Sequence, residues 1–108
     1  MARAHRYQHL PEGDLTPTHP IPGVPRAVQQ AHMRELRAAQ NGIANGHAVR
    51  DGLMLAWSLS NTLSRHDMAL ATGLAKSRVD QLIREAAERE IVRRNAEAAE
   101  RVRRHMPA

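Results

Sequence analysis

The sequence contains no cysteine and no phenylalanine, and only one tryptophan, one tyrosine and one lysine among its 108 residues. Without cysteine there are no disulfides and no thiolate zinc sites, and a reducing compartment is the natural setting. Hydrophobic residues make up 42% of the chain, but 18 of them are alanine. The bulky core must therefore be small, and not every residue is expected to pack. No apolar run is long enough for a membrane span or a signal-peptide core. The chain is expected to be soluble and cytoplasmic, with no membrane partner. No glycine-rich phosphate loop follows a strand pattern, and no Ser–His–Asp constellation can be argued from spacing. Neither an enzyme nor a bound cofactor is expected. Seven histidines invite a metal reading, and His5 and His9 have ligand-like spacing. They sit in a polar stretch without partner cysteines or carboxylates, so no metal site is expected.

What is abundant is arginine: 15 of the 16 basic residues, with a formal net charge of +5. A basic balance fits a polyanionic partner, although arginine with so much alanine also fits a GC-rich coding bias. Charge distribution adds little, since residues 62–108 hold ten bases against seven acids and residues 1–61 six against four. A local cluster has to carry the argument.

Residues 1–24 contain four of the six prolines (Pro11, Pro17, Pro20, Pro22) and few bulky apolar residues. This composition predicts an extended or disordered arm, with Arg3 and Arg6 as its bases. Pro25 suits the first turn of a helix. Val28, Ala31, Leu36 and Ala39 give that helix a modest apolar stripe, and Asn41-Gly42 closes it with Gly42 at the C′ position. Asn45 can cap the next helix, 46–59. There Val49, Leu53, Ala56, Trp57 and Leu59 form a stronger stripe, interrupted by Gly52. Ser58, Ser60, Asn61 and Thr62 make the turn that follows.

Ser64–Arg84, SRHDMALATGLAKSRVDQLIR, is the most informative stretch. Ser64 with Asp67 three residues on opens a helix as a capping box, and Leu63 with Met68 can form the hydrophobic staple. Ala69 is small where a second helix would press close. Gly73 supplies the turn. Val79 and Leu82 recur at helical spacing and face inward. Two short helices joined in this way make a helix-turn-helix, whose second helix lies in the major groove of DNA. Lys76, Ser77, Arg78, Gln81 and Arg84 crowd the outward side of the second helix, with Asp80 the only acid among them. Lysine and arginine suit guanine edges or phosphates, and glutamine suits adenine.

Ala69-x-x-x-Gly73 with apolar Leu74, Val79 and Leu82 resembles the helix-turn-helix superfamily. The run ATGLAKSRV is similar to its simple three-helix members in bacterial and phage regulators, and to the DNA-reading domain of sigma factors. The resemblance covers about twenty residues, or about forty with the supporting helix. Ala75 departs from the pattern, standing where such proteins often carry the Ser or Thr that caps the recognition helix. A missing cap costs on the order of 1 kcal/mol.

After Leu82 nothing breaks the helix before Pro107, and one helix of roughly 30 residues, some 45 Å long, is expected over 76–106. Within it Val92, Asn95, Ala99, Val102 and Met106 fit an a/d seam over only two heptads, where Asn can fix register. Glu85–Arg89, Glu90–Arg94, Glu97–Arg101 and Glu100–Arg104 are i,i+4 pairs. No alternating pattern follows, so a β-wing is not expected. The expected fold is thus all-α: a disordered arm (1–24), an N-terminal helix (25–42), a three-helix helix-turn-helix DNA-binding domain (43–90) and a C-terminal helix extension (91–108). The expected function is sequence-specific DNA binding by a small bacterial or phage transcriptional regulator that inserts helix 75–88 into the major groove of double-stranded DNA. The contact residues would be Arg65, Lys76, Ser77, Arg78, Gln81 and Arg84, with a homodimer through the C-terminal helix. Two rivals share the sequence features: a phage packaging or assembly subunit that recognises DNA, and a protein-interaction module such as an antitoxin.

Overall fold

The computed structural model describes residues 10–11, 15–42 and 46–106. Four helices follow in chain order: α1 (Arg26–Asn41), α2 (Gly46–Leu59), α3 (Arg65–Thr72) and α4 (Lys76–His105). Among the described residues there is no strand. Helix α1 packs on α2 and α3, and α4 packs on the same two. Between them lies a core of Leu15, Met33, Leu36, Met54, Leu63, Met68, Ala71, Val79, Leu82 and Ile83. Three methionines occupy places that aromatics fill elsewhere; unbranched thioethers fit irregular gaps. The radius of gyration is 17.1 Å, against about 13 Å for a compact domain of this length. The excess comes from α4, which is exposed at nearly every residue from Ile91 onward.

The buried faces of α1 and α2 differ from the expected stripes. On α1 the inward residues are Gln29, Met33, Leu36 and Arg37, while Val28 is 38% exposed and Ala31 faces solvent. On α2 they are Arg50, Asp51 and Met54, while Val49 and Leu59 are 52% and 78% exposed. The reason is that long polar side chains find partners inside. The Gln29 amide accepts from Ile21 N–H (3.1 Å) and donates to the carbonyls of Ile21 (3.3 Å) and Val24 (2.9 Å). The Arg37 guanidinium donates to the carbonyls of Ala71 (2.5 Å), Leu70 (2.9 Å) and Pro11. It thereby satisfies carbonyls that the end of α3 leaves without intrahelical partners. Arg50 pairs with Asp51 (2.8 Å) and reaches Gln40 on α1 (2.9 Å). The outer carboxylate oxygen of Asp51 lies 3.6 Å from Arg89 on α4. Buried polar groups are tolerated when bonded, and among the described residues no buried side-chain polar atom is left without a partner.

Where it is described, the N-terminal arm is without helix or strand, but it is not free. Leu15 is 3% exposed and belongs to the core. The Asn41 side chain holds Leu10 by both main-chain groups, at 2.8 Å each. Pro22 and Gly23 form a turn closed by Val24 N–H to Ile21 C=O (3.2 Å), with Gly23 at φ +88°. A strap of residues 15–24 therefore lies against α1 and α3, which corrects the expectation of a disordered arm reaching residue 24. Proline and polar composition predicted the absence of helix; it could not reveal the docking, which rests on single residues. Arg3, Arg6, His5, His9 and the proposed cap Asn45 lie outside the described residues.

Helix ends follow local chemistry. Pro25 sits at the N-terminal boundary of α1, where its carbonyl accepts from Val28 and Gln29 (3.0 and 3.2 Å). Gly42 follows α1, but its backbone is extended (φ −71°, ψ 159°) rather than left-handed. Glycine matters more at Gly46, where an added Cβ would stand 2.6 Å from the Ala39 carbonyl oxygen. The start of α2 thus presses onto the end of α1.

Candidate nucleic-acid interface

Helix α3 begins as its sequence dictates. The Ser64 hydroxyl accepts from Asp67 N–H at 3.1 Å, and Leu63 and Met68 are both buried in the core. The return half of the capping box is replaced. The Asp67 carboxylate is fully buried and accepts instead from Thr18 N–H (2.7 Å), the Thr18 hydroxyl (2.6 Å) and His19 N–H (3.1 Å). Burial alone would raise its pKa. The donors from Thr18 and His19 outweigh it and hold the carboxyl below its ordinary range. The strap is thus tied to the first turn of α3, where His19 also stacks on His66 with ring centroids 4.0 Å apart.

Helix α3 ends at Gly73, which is left-handed (φ 75°, ψ 10°) and donates to Ala69 C=O at 2.8 Å. The Leu10 side chain covers this turn, 3.0 Å from where a Cβ on Gly73 would stand. Thr72 returns its hydroxyl to Met68 C=O (2.8 Å). Three residues separate α3 from α4, which begins behind Ala75, a residue that makes no side-chain cap bond.

On α4, Val79, Leu82, Ile83 and Ala86 point into the core. Ile83 and Ala86 extend the inward face beyond the two positions read from the sequence. Opposite them Lys76, Ser77, Arg78, Gln81 and Arg84 are all exposed, and so is Arg65 on α3. The six candidate residues therefore lie at the surface, on the start of α3 and the first two to three turns of α4. They are not equally available. Arg65 donates to Asp80 (3.0 Å) and to Ser58 on α2 (3.0 Å). Lys76 stands 3.3 Å from the other oxygen of Asp80. Partial burial would raise the Asp80 pKa, but hydrogen bonds from Arg65 and Lys76 lower it on balance. Gln81 donates to Glu85 at 3.1 Å. Among the described residues Arg78 and Arg84 make no ion pair. The Arg65 bonds to Asp80 and Ser58 are not readable from spacing, because they join three helices across two turns, whereas the Lys76–Asp80 pair has the i,i+4 spacing of one helix face.

The extension beyond residue 90 carries charges that pair among themselves. Arg94–Glu90 (2.9 Å) and Arg104–Glu100 (3.6 Å) form as the spacing predicts. Glu97 instead pairs with Arg93 (2.6 Å), and Arg89 turns to Asp51. The expected Glu97–Arg101 and Glu85–Arg89 pairs are not made. Glu97 has Arg93 and Arg94 behind it as well as Arg101 ahead, and Arg93 takes it; Glu85 accepts from Gln81 instead, while Arg89 reaches Asp51 on α2. Ile91, Val92, Val102 and Met106 stay exposed by 59%, 68%, 59% and 65%. With Asn95, Ala98 and Ala99 they form one stripe free of charge.

Among the described residues no group of three or more histidines and carboxylates stands close enough to hold a metal ion, and no helix is long and apolar enough to cross a membrane. Comparison with protein-family models, with curated proteins and with solved structures finds no match for this chain.

Proposed function

We propose that this chain is a cytoplasmic, sequence-specific DNA-binding protein rather than an enzyme, of the kind found among small bacterial and phage transcriptional regulators. In this reading α3, the Gly73 turn and the first turns of α4 act as a helix-turn-helix, with α2 as the supporting helix. One observation carries it. Helix α4 buries Val79, Leu82, Ile83 and Ala86 while its opposite side presents Lys76, Ser77, Arg78, Gln81 and Arg84 immediately after a tight left-handed turn. The first turns of such a helix enter the major groove deepest. Gln81 offers both a donor and an acceptor to an adenine edge, and Lys76 or Arg78 takes a guanine or a nearby phosphate. Arg84 lies further along and positions the helix on the backbone. The acids Glu85 and Glu88 end the basic face one turn later.

A second copy of the chain is the natural partner of the stripe on residues 91–106. Asn95 at its seam would fix register at some cost in stability. Two paired chains would address half-sites about one DNA turn apart.

The test is selection of genomic fragments by the immobilised protein, followed by binding of the enriched sequence in solution. Enrichment of one sequence over bulk DNA supports the reading, and uniform or absent retention refutes it. Sedimentation separates a regulator, monomer or dimer, from a ring-forming packaging subunit.

A further inference from the structure

The four cations of the proposed DNA face are not equivalent, because a single carboxylate stands among them. Asp80 lies 3.0 Å from the Arg65 guanidinium and 3.3 Å from the Lys76 ammonium, and its side chain is 28% exposed against 43% and 46% for its partners. The two cations lean over the acid. Arg65 is held at a second point by the Ser58 hydroxyl on α2, 3.0 Å away. Three helices thus fix one guanidinium beside one carboxylate, while among the described residues neither Arg78 nor Arg84 makes an ion pair with it, although Arg84 lies one turn on from Asp80.

We propose that Asp80 is a specificity-determining residue of this face, acting against sequence-independent binding. The inference rests on the DNA-binding reading. Random DNA offers mainly phosphates, and affinity for it grows with each phosphate a cation neutralises. A phosphate that takes Lys76 or Arg65 must displace or approach Asp80, so attraction to the cation is offset by repulsion from the acid. A guanine edge presents neutral acceptors, and Lys76 can meet it without opposing Asp80. The acid therefore penalises backbone contact more than base contact. Discrimination gained by a repulsive element of this kind is a general route to specificity. Exposed ion pairs are individually weak, so the effect is graded rather than a switch.

The experiment measures binding of a selected duplex and of its scrambled counterpart at several salt concentrations. Asp80→Asn keeps the side-chain shape and an acceptor for Arg65. Affinity for scrambled DNA should rise about tenfold, and the salt slope should steepen by about one to two units as two cations become available. Affinity for the selected duplex should rise less, so the ratio between the two falls. An equal rise on both duplexes, or none, overturns the proposal and leaves the DNA-binding reading intact. Failure of the parent protein to bind either duplex overturns both. A second comparison does not depend on the folding of the Asp80 variant. Lys76→Met should reduce binding to scrambled DNA less than Arg84→Met does, because Asp80 already engages Lys76. An equal or larger loss for Lys76→Met refutes the assignment.

Discussion

Replacing Gly73 tests the turn that aims α4, and its cost can be worked from the backbone. Gly73 has φ 75° and ψ 10°, a region that costs an ordinary L-residue about 1–2 kcal/mol. A β-branched side chain is stiffer and reaches the upper part of the range of about 1–3 kcal/mol for strained backbone. The new Cβ would also stand 3.0 Å from Leu10 Cδ1. That atom ends a flexible side chain, so it shifts at little cost. Gly73→Val should therefore lose roughly 2–3 kcal/mol, Gly73→Ala about 1–2, and Gly73→Asn less, since asparagine tolerates this region. A loss of 1 kcal/mol lowers Tm by roughly 4 °C in a domain of about a hundred residues. The valine variant should melt about 10 °C below the parent. Thermal and urea unfolding followed by circular dichroism give the ranking. A valine variant that melts with the parent, or an asparagine variant that falls as far as valine, shows that this turn does not carry the left-handed strain assigned to it.

Ala75→Ser should add about 0.5–1 kcal/mol of stability, because the first N–H groups of α4 then gain an acceptor; no gain in Tm would mean that the end is already satisfied. Gln81→Ala should cost about 1–3 kcal/mol on the selected DNA site and little on random DNA. Arg84→Ala should weaken both alike and reduce the salt slope by about one unit; variants that bind every duplex as the parent does would remove α4 as the reading helix. Deleting residues 91–108 should convert a dimer to a monomer, and sedimentation of the full chain as a monomer at high concentration would dispose of the pairing. Acid should release the strap. The Asp67 carboxyl is held below its ordinary range in the fold, so its contribution is present above about pH 4 and is lost as pH falls through the folded value. Thr18→Val removes one donor and should flatten that part of the stability-versus-pH curve; an unchanged curve below pH about 4 would mean that Asp67 does not drive it. His32, whose pKa is lowered by burial against the opposing pull of Glu35, acts in a separate window, starting below about pH 6.5.

Helix boundaries were legible because they are set within a few residues. Ser64 caps α3 through Asp67 N–H, Gly73 ends it, and nothing interrupts α4 before Met106. The spans expected over 46–59, 64–72 and 76–106 agree with α2, α3 and α4 to within a residue. The faces of α1 and α2 were not legible. A hydrophobic pattern scores Val28, Val49 and Leu59 as inward and Gln29, Arg37 and Arg50 as outward. The structure reverses all six, because the partners of the polar residues come from distant segments. Arg37 finds carbonyls 33 and 34 residues on in the chain. The docking of the strap is hidden from the sequence for the same reason: Thr18 meets Asp67 across 49 residues.

The candidate interface shows the same division, with a consequence for how it works. Which residues of α4 face outward follows from the inward positions of Val79 and Leu82, and needs only the helical period. The i,i+4 contacts Lys76–Asp80 and Gln81–Glu85 follow from the same period; the hold of α3 and α2 on this face does not. Asp80 reads in the sequence as an isolated acid in a basic run, and in the fold it engages Arg65 fifteen residues back as well as Lys76. The residues that hold the face in place are also distributed. Arg37 closes the end of α3, Thr18 and His19 hold its start, and Leu10 covers the turn between α3 and α4. The strap and α1 thus brace both ends of an eight-residue helix too short to be stable by itself. The position of the outward residues on α4 therefore depends on residues that would touch no DNA. Substitutions at Thr18 or Arg37 should lower stability and DNA affinity together, whereas substitutions at Gln81 should alter affinity alone.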